Sequence, residues 1–301
     1  MAINRAALAK QLLPGLNAIF GLSYKLVDNE HEPLFDMESS ERSFEEEQGM
    51  ALFGTAPVKG EGAAVQYDDA NETWTARYTH ETIALAFAIT EEAFEDELYN
   101  TLGKVKSQGL GRAMANTKQV KAAAVYNNGF DTSYPIGDGQ PVFSTAHPTQ
   151  GGGHQSNRVS VDLSETALEN AVINISLLKD ERGILVGATP RSLHLPPQSQ
   201  FVAHRILKSN LRVGTADNDA NALKDMGLFS KGWSINRRFT DTNAWFIRTD
   251  IPNGPKMFTR VPLQTKMEGD FDTGNVRYKA RERYSFGVSD WRALYGRTGS
   301  N

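Results

Sequence analysis

The chain has 301 residues, no cysteine, 40% apolar and 23% charged residues, and a formal charge of -4. Zero cysteine excludes disulfides, thiol catalysis and zinc–thiolate sites together. No window reaches about 18 uninterrupted apolar residues, which rules out a transmembrane helix, and the slightly acidic balance gives no electrostatic reason to bind nucleic acid tightly. At about 150 residues per domain the length suits two domains.

At the N-terminus Leu8, Leu12, Leu16 and Phe20 recur every fourth residue, the pattern of an amphipathic helix laid on a surface. Arg5 and Lys10 ahead of an apolar run faintly mimic a secretory leader. Pro14 and Asn17 interrupt that run, however, and Ser23-Tyr24-Lys25 is no small-residue cleavage site. The expectation is a docking arm on a protein that stays inside the cell that makes it.

Charge is segregated along the chain. Residues 28–97 hold 19 acidic side chains against Arg42, Lys59 and Arg77, a net of -16 that leaves +12 on the remainder. Such a segment repels itself and calls for something basic against it. The candidates are Lys104, Lys106, Arg112, Lys118 and Lys121, then Arg277, Lys279, Arg281 and Arg283. The last four alternate, which puts them on one face of a strand. Two readings are open: a solvated acidic face, or one copy's acidic arm resting on the basic surface of the next. The second nominates Glu45, Glu46, Glu47 and Lys59 as inter-subunit residues opposite Lys104, Lys106, Arg112 and the Arg277–Arg283 row.

Residues 37–64 sustain no helical or strand period, so they read as disordered or as an extended functional loop. Strands follow, with Trp74, Ala76, Tyr78 and His80 on one face and then Ile83, Leu85, Phe87 and Ile89 on one face. Thr90, as N-cap, opens a helix predicted to reach Tyr126, about 55 Å long. Gly103, Gly109 and Gly111 predict a bend or break near its middle. A Gly- and Pro-rich loop covers 129–158, and Ser164-Glu165 opens a helix carrying Leu168, Val172, Ile175 and Leu178. A short strand at 192–195 leads through Pro196-Pro197 into another helix. Residues 212–223 form a polar loop. Further strands are predicted near 233–235, 244–248, 257–261, 266–268 and 276–291. The whole is α+β with no internal repeat.

Catalytic signatures are scarce. There is no Walker A loop, no HExxH and no GxSxG. Gly109-Leu110-Gly111 falls inside a helix pattern, and Ser176 and Lys179 match SxxK without its companion motifs. His147 and His154 flank Gly151-Gly152-Gly153 and could hold a metal only with a third ligand, for which no spacing argues. They remain the residues an enzyme reading would use.

Several strings then carry a resemblance. Gln140-Pro141-Val142-Phe143-Ser144-Thr145-Ala146-His147-Pro148 with Gly151-Gly152-Gly153 resembles the loop after the long helix of tailed-phage major capsid proteins. Leu195-Pro196-Pro197, Gly214-Thr215-Ala216-Asp217-Asn218-Asp219, Asn243-Ala244-Trp245-Phe246 and Tyr284-Ser285-Phe286-Gly287-Val288-Ser289-Asp290-Trp291-Arg292 follow in that family's order. The nearest relatives look like Mu-like major head subunits. The resemblance implies the Hong Kong ninety-seven type capsid fold, with an N-arm (1–36), an E-loop hairpin and its supporting strands (37–89), a P domain with a spine helix (90–159), an A domain (160–262) and return strands into the P domain (263–301). It further implies a structural, non-enzymatic subunit of a virion, with no cofactor. Pentamers and hexamers of the chain would form an icosahedral shell around double-stranded DNA held by weak contact, after assembly in the host cytoplasm. Some members carry a long N-terminal scaffolding segment and only about 35 residues precede the E-loop here, so the resemblance implies either a separate scaffold protein or a missing segment; a portal is a further implied partner. Nothing beside Lys59 argues for the Lys–Asn crosslink of some members. An encapsulin-like compartment shares the fold and is the alternative.

Overall fold

The computed structural model describes residues 5–90, 92–93, 99–211, 220–269 and 274–297. Two sheets and one long helix organise them. The first sheet has the order β1-β11-β12-β4, from β1 (Asp36–Ser39), β11 (Pro255–Gly269), β12 (Val276–Val288) and β4 (Glu81–Ile89). β1 runs parallel to β11, and the other pairs are antiparallel. The second sheet has the order β7-β13-β10-β8-β9, from β7 (Arg158–Val159), β13 (Leu294–Arg297), β10 (Trp245–Thr249), β8 (Pro190–Leu195) and β9 (Trp233–Ile235). A two-stranded hairpin joins β2 (Phe44–Ala51) to β3 (Asn71–Thr79), and a minimal one joins β5 (His147–Pro148) to β6 (His154–Gln155).

The helices are α1 (Arg5–Lys25), α2 (Tyr99–Asn127), α3 (Glu165–Ser176), α4 (Gln200–Lys208) and the single turn α5 (Ala222–Asp225). α1 docks on α2 as its apolar spacing predicts: Leu16 and Phe20 are buried with Leu110 and Met114 of α2 and with Tyr278 and Ala280 of β12. The break expected as one possibility near the middle of α2 does not occur, because the helix runs unbroken from Tyr99 to Asn127 despite its glycines. Gly111 has a packing reason: a Cβ there would stand 2.7 Å from the carbonyl oxygen of Phe20, so its absence lets the two helix backbones touch. At the predicted start of the helix, Thr90 accepts the Ala93 N–H at 3.4 Å, while residues 91 and 94–98 lie outside the described residues. So does most of the 212–223 loop.

β12 alternates cleanly. Tyr278, Ala280, Glu282 and Tyr284 face inward, while Arg277, Lys279 and Arg281 face out. Its neighbour β4 puts Ile83, Leu85, Phe87 and Ile89 on the inward face opposite Ala84, Ala86 and Ala88. β10, by contrast, is buried at every residue from Trp245 to Thr249, as expected of a strand covered on both faces. Leu168, Ala171 and Ile175 of α3 join Leu193, Trp245 and Ile247 in one core. On the other side Phe246 meets Tyr126 of α2 at 5.2 Å between ring centroids, within an aromatic cluster with Phe143 and Phe239. That cluster ties the second sheet to the C-terminal end of α2.

Two further expectations need correcting. Residues 37–64 are not without regular structure, because β1 and β2 lie there. In β2 the inward positions are Glu45, Glu47 and Gly49, so the strand has no apolar period to read. The strands predicted at 257–261 and 266–268 are one strand, β11, with register shifts on either side of Val261. Pro262 has no N–H to give the ladder and sits where the pairing is irregular. Sheet pairing links the expected segments: β11 runs through 262/263, β1 and β4 lie in the first sheet with β11 and β12, and β13 lies inside the second sheet.

Candidate inter-subunit interface

The hairpin β2–β3 carries the acidic run, and alternation along β2 splits it. Glu46 points out and pairs with Arg77, its cross-strand partner, at 3.0 Å; Arg77 in turn covers the Phe44 ring at 4.1 Å. Glu45 accepts from the Ser40 hydroxyl at 2.7 Å. Glu47 binds the ammonium of Lys256 and the hydroxyl of Ser289, and that hydroxyl lies 2.5 Å from the Tyr78 hydroxyl. The three carboxylates therefore do not act as one exposed block: two of them fasten the hairpin root to its own chain. His80, beside this root, bridges Ser40 and Ser285 at 2.9 Å each. Its pKa is lowered by burial and then by the Arg283 guanidinium.

Between the strands, residues 52–70 form the extended end of the hairpin, and Lys59 lies exposed there. Leu52, Phe53, Val58, Val65 and Tyr67 are exposed large apolar side chains of this one loop, the composition of a surface meant to be covered. Asp68 anchors the loop. It accepts from Arg182 at 2.5 and 2.6 Å and from the Gly54 N–H at 2.8 Å. The Arg182 hydrogen bond and the backbone N–H groups hold its carboxyl well below the usual range, at about 2.

The basic row lies on the outer face of the first sheet. The register sets Arg277, Lys279 and Arg281 beside Ala88, Ala86 and Ala84 of β4, so small side chains border the cations. Arg283 continues the row, half-buried. On α2, Lys104, Lys106 and Arg112 are exposed, and Lys106 donates to the Ala88 carbonyl at 2.9 Å. Lys118 and Lys121 are engaged within the chain, with Glu282 at 2.6 Å and with Glu81 respectively.

The two histidines of the enzyme reading are not brought together. His147 pairs across the small ladder with Gln155, and Pro148 pairs with His154, so successive positions put the histidines on opposite faces. His147 is wholly buried and stacked on Trp291 at 4.2 Å, with the ring planes 3° apart. Its Nδ1 lies 2.6 Å from Asp138 and its Nε2 3.1 Å from Asn157 Oδ1. The amide nitrogen of Asn157 donates to the carbonyls of Val142, Trp291 and Leu294. That fixes Oδ1 toward the ring, and Nε2 is the donor there. With both nitrogens engaged, the ring is a structural staple between the 129–158 loop and Trp291, in the turn just ahead of β13.

Sequence reasoning missed the apolar end of the hairpin and the Asp68–Arg182 anchor. The clustering of Leu52, Phe53, Val58, Val65 and Tyr67 in a stretch without period was the available signal. Arg182 had none.

A family model described as phage capsid protein matches residues 72–296. No curated relative matches the chain in sequence. Among solved structures, a virus-like particle from Pyrococcus furiosus is similar with a TM-score of 0.57 at 9% identity, over 94% of this chain and 98% of that one. The capsid of Cyanophage P-SCSP1u gives 0.57 at 12% identity, over 89% and 87%. The procapsid of bacteriophage JBD30 gives 0.54 at 15% identity, over 99% of this chain and 77% of that one. At these identities the likeness shows the fold, which is the Hong Kong ninety-seven type capsid fold in an α+β chain.

Proposed function

We propose, from the premise that this chain belongs to the phage capsid protein family, that its copies form the pentamers and hexamers of an icosahedral head around double-stranded DNA. The family and the fold point to a structural protein of the virion rather than an enzyme. Assembly takes place in the host cytoplasm, with a separate scaffold protein and a portal as partners.

In this reading the hairpin β2–β3 of one copy lies over the outer sheet face of the next. Its exposed carboxylates, Glu46 first, approach Arg277, Lys279, Arg281 and Arg283, and the apolar side chains of residues 52–70 leave water. The observation that carries the contact is the net charge of -5 on the hairpin residues 44–79, together with an exposed cationic row bordered by alanines on a different element. A neighbour's acidic side chains can approach those cations over Ala84, Ala86 and Ala88 without a steric barrier. A total charge of only -4 suits a container that holds DNA weakly and releases it.

The test is the triple reversal Arg277→Glu, Lys279→Glu and Arg281→Glu. These side chains are exposed, so the subunit keeps its circular dichroism and melting temperature, while shell yield collapses. Normal shells from the reversed protein overturn the contact. A compartment filled with cargo has the same fold, and the nucleic-acid content of purified shells separates the two readings.

A further inference from the structure

β4 pairs with β12 over all nine of its residues without a bulge, and it is the last strand of its sheet. Exposed edges are ordinarily blunted by proline, a bulge or a charged side chain. Between Glu81 and Thr90 this strand, Thr82-Ile83-Ala84-Leu85-Ala86-Phe87-Ala88-Ile89, has none of these. The Ala88 carbonyl takes the Lys106 ammonium from outside the sheet. Even-numbered residues therefore turn their N–H and C=O groups away from β12, and odd-numbered ones bond to it. Thr82, Ala84, Ala86 and Ala88 thus present a row of donors and acceptors at the open edge. On the inward face Leu85 is 50% exposed although its register partner, Ala280, is fully buried. There the apolar layer of the sheet runs out at the edge.

We propose that β4 pairs antiparallel with β4 of a second copy across a two-fold axis at Leu85, so that two four-stranded sheets become one of eight. This rests on the reading that copies of the chain assemble. The edge is self-complementary in the way such a two-fold contact requires. Centred on Leu85, Thr82 stands opposite Ala88 of the partner subunit and Ala84 opposite Ala86 of the partner subunit, so every outward-turned group finds a mate. Leu85 meets Leu85 of the partner subunit in a non-hydrogen-bonded position, where side chains approach most closely. The ends match in charge as well. Glu81, exposed at one end of the strand and paired through Oε2 with Lys121 of its own chain, falls beside Lys106 of the partner subunit, so its carboxylate is shared between two cations, and symmetry repeats the contact. Lys106 then exchanges the Ala88 carbonyl for a carboxylate, and that carbonyl accepts the N–H of Thr82 of the partner subunit.

The absence of cysteine makes the test direct. Single variants Leu85→Cys, Ala84→Cys and Phe87→Cys are assembled, mildly oxidised and run on non-reducing gels. Only the axial residue meets its own copy, at a Cα separation of about 4.5 Å, inside the disulfide range of about 4.4–6.8 Å. Ala84 is set about 7–8 Å or more from its own copy, and Phe87 farther still. The expected result is about ten-fold more dimer from Leu85→Cys than from either control. Intact particles that give no such dimer, or that crosslink better through Ala84→Cys or Phe87→Cys, overturn the pairing and leave the capsid reading in place. If no particles form, the capsid reading fails, and crosslinking of the soluble protein still decides the pairing by the same comparison.

Discussion

Replacing Lys118 by Met should unfasten the N-terminal helix from the body of the subunit. The Lys118 ammonium lies 2.6 Å from Glu282 and 2.6 Å from the Tyr24 hydroxyl, which itself reaches Glu282 at 3.2 Å. Side-chain exposure is 16% for Lys118 and 1% for Glu282, so the carboxylate is compensated inside the protein or not at all. Among the described residues its Oε1 has no hydrogen-bond partner, which leaves Lys118 and Tyr24 to carry the compensation through Oε2. Burial pulls the Lys118 pKa down, but Glu282 and Tyr24 outweigh it and the net shift is upward. The pair therefore contributes below the ordinary lysine pKa and is lost as pH rises through the raised value. Removing one partner of a buried pair costs about 3–5 kcal/mol. That corresponds to ~5–8 °C in melting temperature for a subunit of this size. Met keeps the stem of the side chain, so lost packing is a minor part. Urea unfolding of the soluble subunit, followed by circular dichroism, measures the loss. The double variant Lys118→Met with Glu282→Met should recover most of it, since a buried apolar pair is about as stable as a buried ion pair. A single-variant loss under ~1 kcal/mol, or a double variant as unstable as the sum of the singles, would refute the reasoning.

Two further outcomes follow from the same structure. His194 is wholly buried between the hydroxyls of Ser192 and Ser234, and burial, then Arg248, lower its pKa to about 3. The folded state then takes up fewer protons than the unfolded one, so stability is full above about pH 6.5 and falls by ~1.4 kcal/mol per pH unit below it. His194→Gln should flatten that acid limb in a pH series of urea midpoints, and an unchanged limb would count against it. The glycines of α2 should behave oppositely: Gly109→Ala, with nothing within 4 Å of the new Cβ, gains about 1 kcal/mol. Gly111→Ala, placed 2.7 Å from the Phe20 carbonyl oxygen, loses about 1–3 kcal/mol as α1 lifts. Equal effects in thermal unfolding would contradict the close crossing.

Much of the fold was legible where one face of an element meets one environment. β3, β4 and β12 alternate because their inward sides touch core and their outward sides touch water, so their spacing told both strand and face. The Arg277–Arg283 row was readable for the same reason. Legibility ended where a contact is made by charge across the chain. Glu47 is inward-facing because Lys256 receives it, 209 residues away, and nothing local to Phe44–Ala51 reports that. The strands expected at 257–261 and 266–268 are one, because β12 holds the ladder on both sides of the irregularity at Pro262. Gly111 suggested a bend or break, whereas its missing Cβ makes room for α1. His147 and His154 looked like a pair in sequence, but a two-residue strand on each side of a turn separates them onto opposite faces.

The most direct test of the account is negative-stain electron microscopy of the purified protein, alone and co-expressed with its neighbouring genes. The account predicts closed shells, or pentamers and hexamers, in at least one of the two preparations. A uniform population of monomers or small dimers in both would contradict it.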